Sequence, residues 1–377
     1  MTKFSLVEFS LRRPRLVLAL TGLLTLLFLA QFPKIRIDTN PKHMLPETSD
    51  VRVWNDEVDR TFALYEDTIV VGVANDQGVL NRDTLGRIAR LTDAILALPG
   101  VASRDVNGFT TITNVTAEDG MLKVGPLMPA APRSDGEVDA LKRALLGNPL
   151  FVDRIISQDG RTTAIYVPLE KGANGAEIAG RIRNIVAQED GPERYYVAGD
   201  PVARDTFGAE MFKLMAIFSP IAGGIMFAAI QFMFRNLALS AAMMGVSMVA
   251  ILWSMGLLIG LGFPVHIMSS MAPVFLMAIA TDSIHIFNEF YFRYREQGDK
   301  RAAIRATMAA VSRPVRFTAL ATAAGFAVLL FMNIVPVKVF GGLIAFGTVV
   351  LRLLSFSFIP AVLTFLRRRA VPRIAFA

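Results

Sequence analysis

The sequence contains no cysteine and only three histidines among its 377 residues. Without cysteine there is no disulfide framework and no thiol chemistry, which fits an extracytoplasmic location without demonstrating one. Between 33 and 212 there is no glycine-rich phosphate loop and no Ser/His constellation. The one histidine there, His43, lies in a segment bounded by prolines, where a solvated loop residue is expected. These absences indicate no enzyme active site, no cofactor and no metal site.

Charged residues are scarce in several parts of the chain, where long apolar runs stand instead. Hydrophobic residues make up 53% of the sequence, and the mean hydropathy is +0.46. The apolar runs lie at 16–32 and from Leu214 onward, whereas 33–212 has the mixed composition of a water-soluble domain. Runs of about 20 apolar residues match the roughly 30 Å hydrocarbon core of a bilayer. The composition therefore predicts an integral membrane protein with one sizeable soluble domain.

The first apolar run, at 16–32, has two interpretations. A cleaved signal peptide also combines a basic start with an apolar run. However, the end of this run reads "FLAQF", where a single alanine stands beside bulky residues, so a cleavage site is disfavoured. We predict an uncleaved first membrane helix over 16–32, preceded by an interfacial cytoplasmic segment over 1–15.

Five further membrane helices are predicted after the soluble region of 33–212. The expected helices are 214–234, 237–261 and 265–290, which form a block over 213–290, and then 316–335 and 338–366, which form a block over 316–366. Between the two blocks, 291–315 is predicted to form a cytoplasmic amphipathic helix that ends at Pro314. A basic cytoplasmic tail is expected over 367–377.

The basic residues cluster beside the apolar runs, which explains the net charge of +7 without nucleic-acid binding. Lys and Arg are concentrated at the N-terminus, at Arg235, in the 293–316 segment and in "RRRAVPR" near the C-terminus. With six helices all four places fall on one side, which the positive-inside rule assigns to the cytoplasm. The soluble region is then extracytoplasmic.

The soluble region alternates strand and helix patterns. "DTIVVGVA", "TTAIYVPL" and "RYYVAG" have the composition of strands, and amphipathic helices follow the first two. The order strand, helix, strand occurs twice, with "VASRDV" closing the first unit. This repetition predicts an α+β domain of the ferredoxin-like type.

Ionisable residues lie inside the predicted fourth membrane helix, in "ATDSIHIFNEF". Asp282, His285 and Glu289 are spaced by three and four residues, so they share one helix face. A carboxyl in the membrane is costly, about 2.5–3.5 kcal/mol on insertion scales, and such residues commonly mark proton or ion paths. Asp282 is therefore the leading candidate for binding and releasing a proton as each side becomes accessible. His285 is a second candidate, because histidine changes charge near neutral pH.

Structural interpretations of the same residues remain open. Glu289 is expected to be solvated near the headgroups, with a proton-relay role as the alternative, and His285 could serve only as a hydrogen-bond donor to another helix. Asp282 could likewise accept a structural hydrogen bond. Thr318 and Thr322 share a face of the fifth helix and are the candidate partners, which makes them part of the predicted relay.

The arrangement of these elements resembles one half of a resistance–nodulation–division (RND) transporter. "ATDSIHIFNEFYFRYRE", "RPVRFTALATAAGFAVLLF" and "VFGGLIAFGTVVLRLLSFSFIPAVLTFL" are similar to the hydrophobe/amphiphile exporter and MMPL-like branch, with Patched and sterol-sensing proteins as distant relatives. Relatives often carry glycines before the acidic residue and a tyrosine after it, whereas here Ala280, Thr281 and Ser283 stand beside Asp282. A tyrosine-assisted relay is thus not expected at this place.

The resemblance implies export of lipid-like molecules driven by the proton-motive force, with Asp282 as the proton carrier. It implies a bacterial inner membrane, with the soluble region as a periplasmic porter domain. Because complete relatives contain two such halves, the partner is expected to be a missing second half or a second copy of the chain, besides the lipid substrate. Two alternatives stay open: a sterol-sensing-like lipid sensor that does not pump, and an accessory of Sec-dependent protein secretion.

Overall fold

The computed structural model describes residues 6–62, 64–65, 67–118 and 121–365, so the predicted tail at 367–377 and residue 366 lie outside the described residues. The helices are α1 (Leu6–Arg12), α2 (Pro14–Leu29), α3 (Asp50–Thr61), α4 (Arg82–Leu96), α5 (Asp135–Leu146), α6 (Gly175–Val186), α7 (Asp200–Phe234), α8 (Leu237–Gly260), α9 (Ile267–Ser270), α10 (Ala272–Ala280), α11 (Ser283–Gln297), α12 (Lys300–Ala327) and α13 (Val335–Phe365). The strands are β1 (Thr68–Ala74), β2 (Thr113–Glu118), β3 (Met121–Pro126), β4 (Thr162–Pro168) and β5 (Arg194–Gly199). The chain divides into a membrane unit, Met1–Arg52 with Gly208–Ala377, and a second unit, Val53–Phe207.

Six helical segments among the described residues are long and apolar enough to cross a membrane. They are Pro14–Lys34, Asp200–Phe234, Leu237–Gly260, Ile267–Gln297, Lys300–Phe331 and Val335–Phe365. This number confirms the six helices predicted from the apolar runs. The short helix α1 precedes them and buries Leu11 almost completely.

The core of the membrane unit forms around α8 and α13. These two helices pack against each other, α13 also packs against α1, α2, α10 and α12, and α11 packs against α12. Small residues permit the closest approaches. A Cβ atom on Gly347 of α13 would lie 2.4 Å from Leu276 Cδ2 and 2.8 Å from Ser254 Oγ. On α8, a Cβ atom on Gly256 would lie 2.6 Å from Phe28 Cβ and 2.7 Å from the Phe28 carbonyl oxygen.

The prediction that Pro314 ends an amphipathic helix at 291–315 is wrong. Helix α12 is continuous from Lys300 to Ala327 and contains Pro314 in its interior. A proline removes one N–H donor and strains the preceding turn, but membrane helices tolerate proline because neighbouring groups satisfy the freed carbonyl. The stretch before Pro314 is rich in alanine, the strongest helix former, which favours continuation of the helix.

The Val53–Phe207 unit is built on a three-stranded antiparallel sheet in the order β4-β1-β5. The central strand β1 alternates half-buried and fully buried residues, and Ile69, Val71 and Val73 are completely buried. Helices α4 and α6 contribute their apolar faces to the same core, including Leu91 and Ile182. β2 and β3 form a separate two-stranded sheet.

The fourth sheet strand expected from "VASRDV" is not formed. Val101 makes an isolated bridge with Leu169, Asn107 just after the segment makes one with Tyr166, and residues Ser103–Asp105 form a 3-10 turn. The arginine and aspartate in the middle of the segment interrupt the alternation of apolar residues that a strand would bury. The unit is therefore α+β, and its ferredoxin-like fold stays a prediction.

Among the described residues of the second unit, Glu193, next to the start of β5, is the one buried carboxylate. Glu193 Oε1 accepts hydrogen bonds from Thr84 Oγ1 at 2.6 Å and from Arg87 Nη1 at 3.0 Å, and the side chain is inaccessible to solvent. Burial opposes ionisation, but the bonds from Thr84 and Arg87 outweigh it, so the pKa of Glu193 lies below its ordinary value. The ion pair therefore joins α4 to the sheet.

Candidate functional site

The membrane-spanning segment Ile267–Gln297 is not one regular helix, because it breaks at Asp282. Helix α10 ends at Ala280 and α11 begins at Ser283, so the single helix predicted over 265–290 is divided. The Asp282 amide bonds to the Ile279 carbonyl at 3.2 Å, and the His285 amide bonds to the Asp282 carbonyl at 3.3 Å. Both bonds span three residues, as in a 3-10 helix, and such a stretch inside a membrane helix often marks a functional hinge.

A threonine hydroxyl contributes to this break. Thr281 Oγ1 donates to the Ala278 carbonyl oxygen at 2.6 Å, and the Thr281 amide bonds to the same carbonyl at 3.2 Å. A side chain that bonds to the preceding turn competes with the regular ladder of the helix. Asp282 therefore lies in a 3-10 turn that this hydroxyl bond helps to form, and not in a regular α-helix.

Asp282 lines a small polar cavity of about 30 Å³, which is room for about one water molecule. The cavity brings together one carboxyl group, one guanidinium and several hydroxyl groups, among apolar residues of the segments from α10 to α13. Its polar lining residues are Asp282, Ser283, Thr322, Thr348, Arg352 and Ser355. Thr348 and Ser355 are buried and donate to carbonyls of their own helix, both at 2.8 Å, which leaves their oxygens able to accept.

Arg352 is the residue of this cavity that the sequence analysis did not single out. It lies near the middle of α13, its guanidinium carbon is 3.3 Å from the centroid of the Phe356 ring, and its Nη1 is buried with no hydrogen-bond partner among the described residues. A single arginine inside the run "VVLRLLSF" was the available signal. The cost of a charge within the membrane applies to Arg352 as it does to Asp282.

Of the other residues predicted to take part in the proton relay, only some lie beside Asp282. Thr322 lines the cavity with Asp282, whereas among the described residues His285 and Thr318 are exposed and do not line it. Glu289, which was expected to be simply solvated, forms an ion pair with Arg293 at 2.6 Å. Asp282, Thr322 and Arg352 thus line the same cavity. Glu289 does not line it and pairs with Arg293 instead.

Asp282 and His285 are also part of an exposed stripe on the outside of this single chain. Going along the segment, the exposed positions are Met271, Val274, Phe275, Ala278, Asp282 and His285. Asp282 is therefore not buried inside the bundle of a single chain, although a costly membrane carboxyl usually faces such an interior. The Asp282 carboxylate makes no hydrogen bond or ion pair with residues that the structure describes.

A third feature of the membrane unit is an apolar cavity of about 280 Å³ between α8, the segment around Leu330, and α13. Its wall is formed by leucines and aromatic residues, with Ser254 and Lys338 as its polar members. Such a lining suits a hydrophobic ligand that carries few polar groups. Within the described ranges, no group of three or more acidic or histidine side chains could hold a metal ion.

These features define a multi-span membrane protein with an ionisable residue at a break in its fourth membrane segment. The MMPL family model matches residues 47–375, and the chain belongs to the MMPL family. The match is consistent with the layout of one half of an RND-superfamily transporter. A comparison with curated proteins finds no match.

Proposed function

We propose that this protein moves hydrophobic or amphiphilic molecules out of the bacterial inner membrane, driven by protons that bind at Asp282. The observation that carries the proposal is the position of Asp282 at a helix break, beside a cavity that also contains Arg352 and Thr322. A carboxylate with no fixed partner can change its protonation state, and the 3-10 turn at the helix break is a place where that change can shift the conformation of the segment. Membership of the MMPL family supports a lipid-like substrate.

The role proposed for Arg352 is to stabilise the ionised form of Asp282. Both side chains line the same small cavity, and a water molecule in that cavity can connect the guanidinium to the carboxylate. When Asp282 is protonated, this stabilisation is lost and the α10–α11 break is free to rearrange. His285 and Thr318, on the exposed side, are proposed to carry the proton between Asp282 and solvent.

We propose that a second half, supplied by another copy or another chain, covers the exposed stripe around Asp282. An ionisable side chain facing lipid costs about 2.5–3.5 kcal/mol on insertion scales, so exposure to hydrocarbon is unfavourable. The absence of cysteine makes this testable by single-cysteine cross-linking. Ala278→Cys on the stripe should form a disulfide between copies, and Leu23→Cys on α2, which is also exposed, should not.

The orientation proposed is the one that places the basic ends in the cytoplasm and the Val53–Phe207 unit in the periplasm. A second candidate function is a lipid sensor that binds without transport, because the apolar cavity lined by Lys338 would serve binding as well as passage. The two functions differ in their need for Asp282: a pump requires a group that ionises, and a sensor tolerates asparagine.

The test is transport of a fluorescent fatty acid by the purified chain in proteoliposomes under an imposed pH gradient. Asp282→Asn should abolish gradient-dependent transport, while Glu289→Gln, the same chemical change in a residue paired with Arg293, should retain it. Transport by Asp282→Asn at the wild-type rate would remove Asp282 from the mechanism. Binding of the fatty acid without gradient-dependent transport in the wild type would favour the sensor.

A further inference from the structure

A larger cavity, of about 710 Å³, lies between α1, α12 and α13. It shares only Arg352 with the small cavity beside Asp282. Its lining is amphiphilic, with three arginines on a wall of apolar side chains. The lining residues are Leu6, Val7, Glu8, Arg305, Met308, Ala309, Ser312, Arg316, Val349, Arg352, Leu353 and Phe356. It is open to the surroundings of the chain, so a ligand can enter without unfolding of the bundle.

Two helix faces build this cavity. The α12 residues that line it are spaced i, i+3, i+4, i+7 and i+11 from Arg305 to Arg316, and the α13 residues are spaced i, i+3, i+4 and i+7 from Val349 to Phe356, so each set shares one helix face. The faces meet because α12 and α13 pack against each other. The N-terminal helix α1 closes one end with Leu6 and Val7, while Glu8 brings the cavity its one acidic group.

The charges of the lining are unbalanced. Glu8 accepts two hydrogen bonds from Arg305, at 3.0 and 3.1 Å, and a third from Arg12 at 3.2 Å. These bonds, first from Arg305 and then from Arg12, hold the pKa of Glu8 below its ordinary value, so Glu8 stays ionised and neutralises Arg305. Arg316 and Arg352 are left without an acidic partner among the described residues.

Two unneutralised guanidiniums in one cavity repel each other, and an anion between them removes the repulsion. Arg352 lines the cavity, and its Nη1 has no hydrogen-bond acceptor among the residues that the structure describes, so the charge of this guanidinium is not compensated there. The apolar side chains of Val349 and Leu353, which are 57% and 42% exposed, add a surface that a purely inorganic anion would leave uncovered.

We propose that this cavity binds an anionic amphiphile, with its phosphate or carboxylate between Arg316 and Arg352 and its acyl chain along Val349 and Leu353. The basic ends predicted for the cytoplasmic side place the cavity near the anionic leaflet of the membrane, where each arginine favours an anionic lipid. The site goes beyond the proposed function, since it requires neither transport nor proton movement.

Lipid binding to the purified full chain in neutral detergent tests this proposal by native mass spectrometry. The probes are phosphatidylglycerol, phosphatidylcholine with the same acyl chains, palmitate and inorganic phosphate. Wild-type protein should bind phosphatidylglycerol or palmitate at least about tenfold more tightly than phosphatidylcholine, as expected for two arginine contacts. Preference for phosphatidylglycerol identifies a bilayer lipid as the occupant, and preference for palmitate identifies a single-chain acid.

The paired variant Arg316→Gln/Arg352→Gln should lose this selectivity by about tenfold. Arg313→Gln is the matched control, because Arg313 is an exposed arginine on the same helix that does not line the cavity. Ala309→Glu is a second variant that keeps all three arginines: it places a carboxylate at an exposed position of the wall and should weaken anion binding equally.

Three results would overturn the proposal. The first is equal binding of phosphatidylglycerol, palmitate and phosphatidylcholine, which would show lipid association without charge recognition. The second is unchanged anion binding in both the paired variant and Ala309→Glu. The third is full displacement of both lipids by an equal concentration of inorganic phosphate, which would show an anion site without a role for the acyl chain.

Discussion

The two units of the molecule treat ionisable side chains in opposite ways. In the Val53–Phe207 unit, Glu193 is buried, and Thr84 and Arg87 donate hydrogen bonds to its carboxylate. In the membrane unit, Asp282 has no side-chain partner among the described residues, and Nη1 of Arg352 is buried without one. A carboxylate whose ionised form is fixed by partners contributes stability and resists protonation. One that accepts no hydrogen bond from a described residue is free to bind a proton, which is the property that a proton-driven protein needs.

The largest effect expected from this contrast is on activity in the membrane unit. Asp282→Asn removes the ionisable group but keeps the size and polarity of the side chain. Transport driven by a pH gradient should fall to the level of empty liposomes, while the melting temperature in detergent should hardly change, because the carboxylate makes no bond to a described residue. A large loss of thermal stability in this variant would show that Asp282 is structural, like Glu193.

The largest effect on stability in the second unit is expected at Glu193. Glu193→Gln removes the charge from a buried ion pair and should destabilise the unit by about 1–3 kcal/mol. Glu189→Gln is the matched control, because Glu189 pairs with Arg90 at 3.0 Å and Arg90 is 64% exposed, so its loss should cost less than about 1 kcal/mol. Amide hydrogen exchange in β1 and α4 of the full chain measures both changes.

Helix packing in the membrane unit gives an effect of similar size. Gly256→Ala places a methyl group against the backbone and Cβ of Phe28, at 2.7 and 2.6 Å, and should cost about 1–3 kcal/mol. Gly245→Ala in the same helix meets nothing within 4 Å and should be neutral or stabilising. Thermal unfolding of the two variants in detergent compares them, and equal melting temperatures would contradict the close contact of α8 with α2.

The smallest effect is the pH dependence of the Glu193 pair. The pKa of Glu193 is lowered in the folded unit from its ordinary value of 4.5, so its contribution to stability is complete above that pH and is lost as the pH falls through the folded value. Hydrogen exchange should therefore show β1 and α4 opening more readily below pH 4.5 in the wild type. Glu193→Gln should lack this component, and an identical acid dependence in the variant would assign it to another carboxylate.

The sequence predicted the number of membrane-spanning segments correctly, but not the places where their helices continue or break. Apolar runs determine which segments enter a bilayer, so the six spans followed from hydropathy alone. The helix through Pro314 did not follow, because tertiary packing can stabilise a turn that proline weakens. The break at Asp282 was also missed, since it depends on how the Thr281 hydroxyl bonds to Ala278, and spacing contains no information about that choice.

The candidate site was predicted in part. Asp282 and Thr322 were identified because a polar residue in an apolar run is visible in the sequence, and the structure places both at one cavity. Arg352 carries the same signal but was overlooked within a long run of family-like sequence. Arg352 and Asp282 line the same cavity because α13 packs against α10, and Gly347 permits that packing. The sequence alone does not reveal which helices pack against each other.

The most direct test of the central claim is proton flux through Asp282. Liposomes containing the purified chain and a trapped pH-sensitive dye are given a potassium diffusion potential, and the internal pH is followed for wild type, Asp282→Asn and Glu289→Gln. We expect a potential-driven change of internal pH, accelerated by added fatty acid, in the wild type and Glu289→Gln but not in Asp282→Asn. Equal proton flux in Asp282→Asn and the wild type would contradict the account.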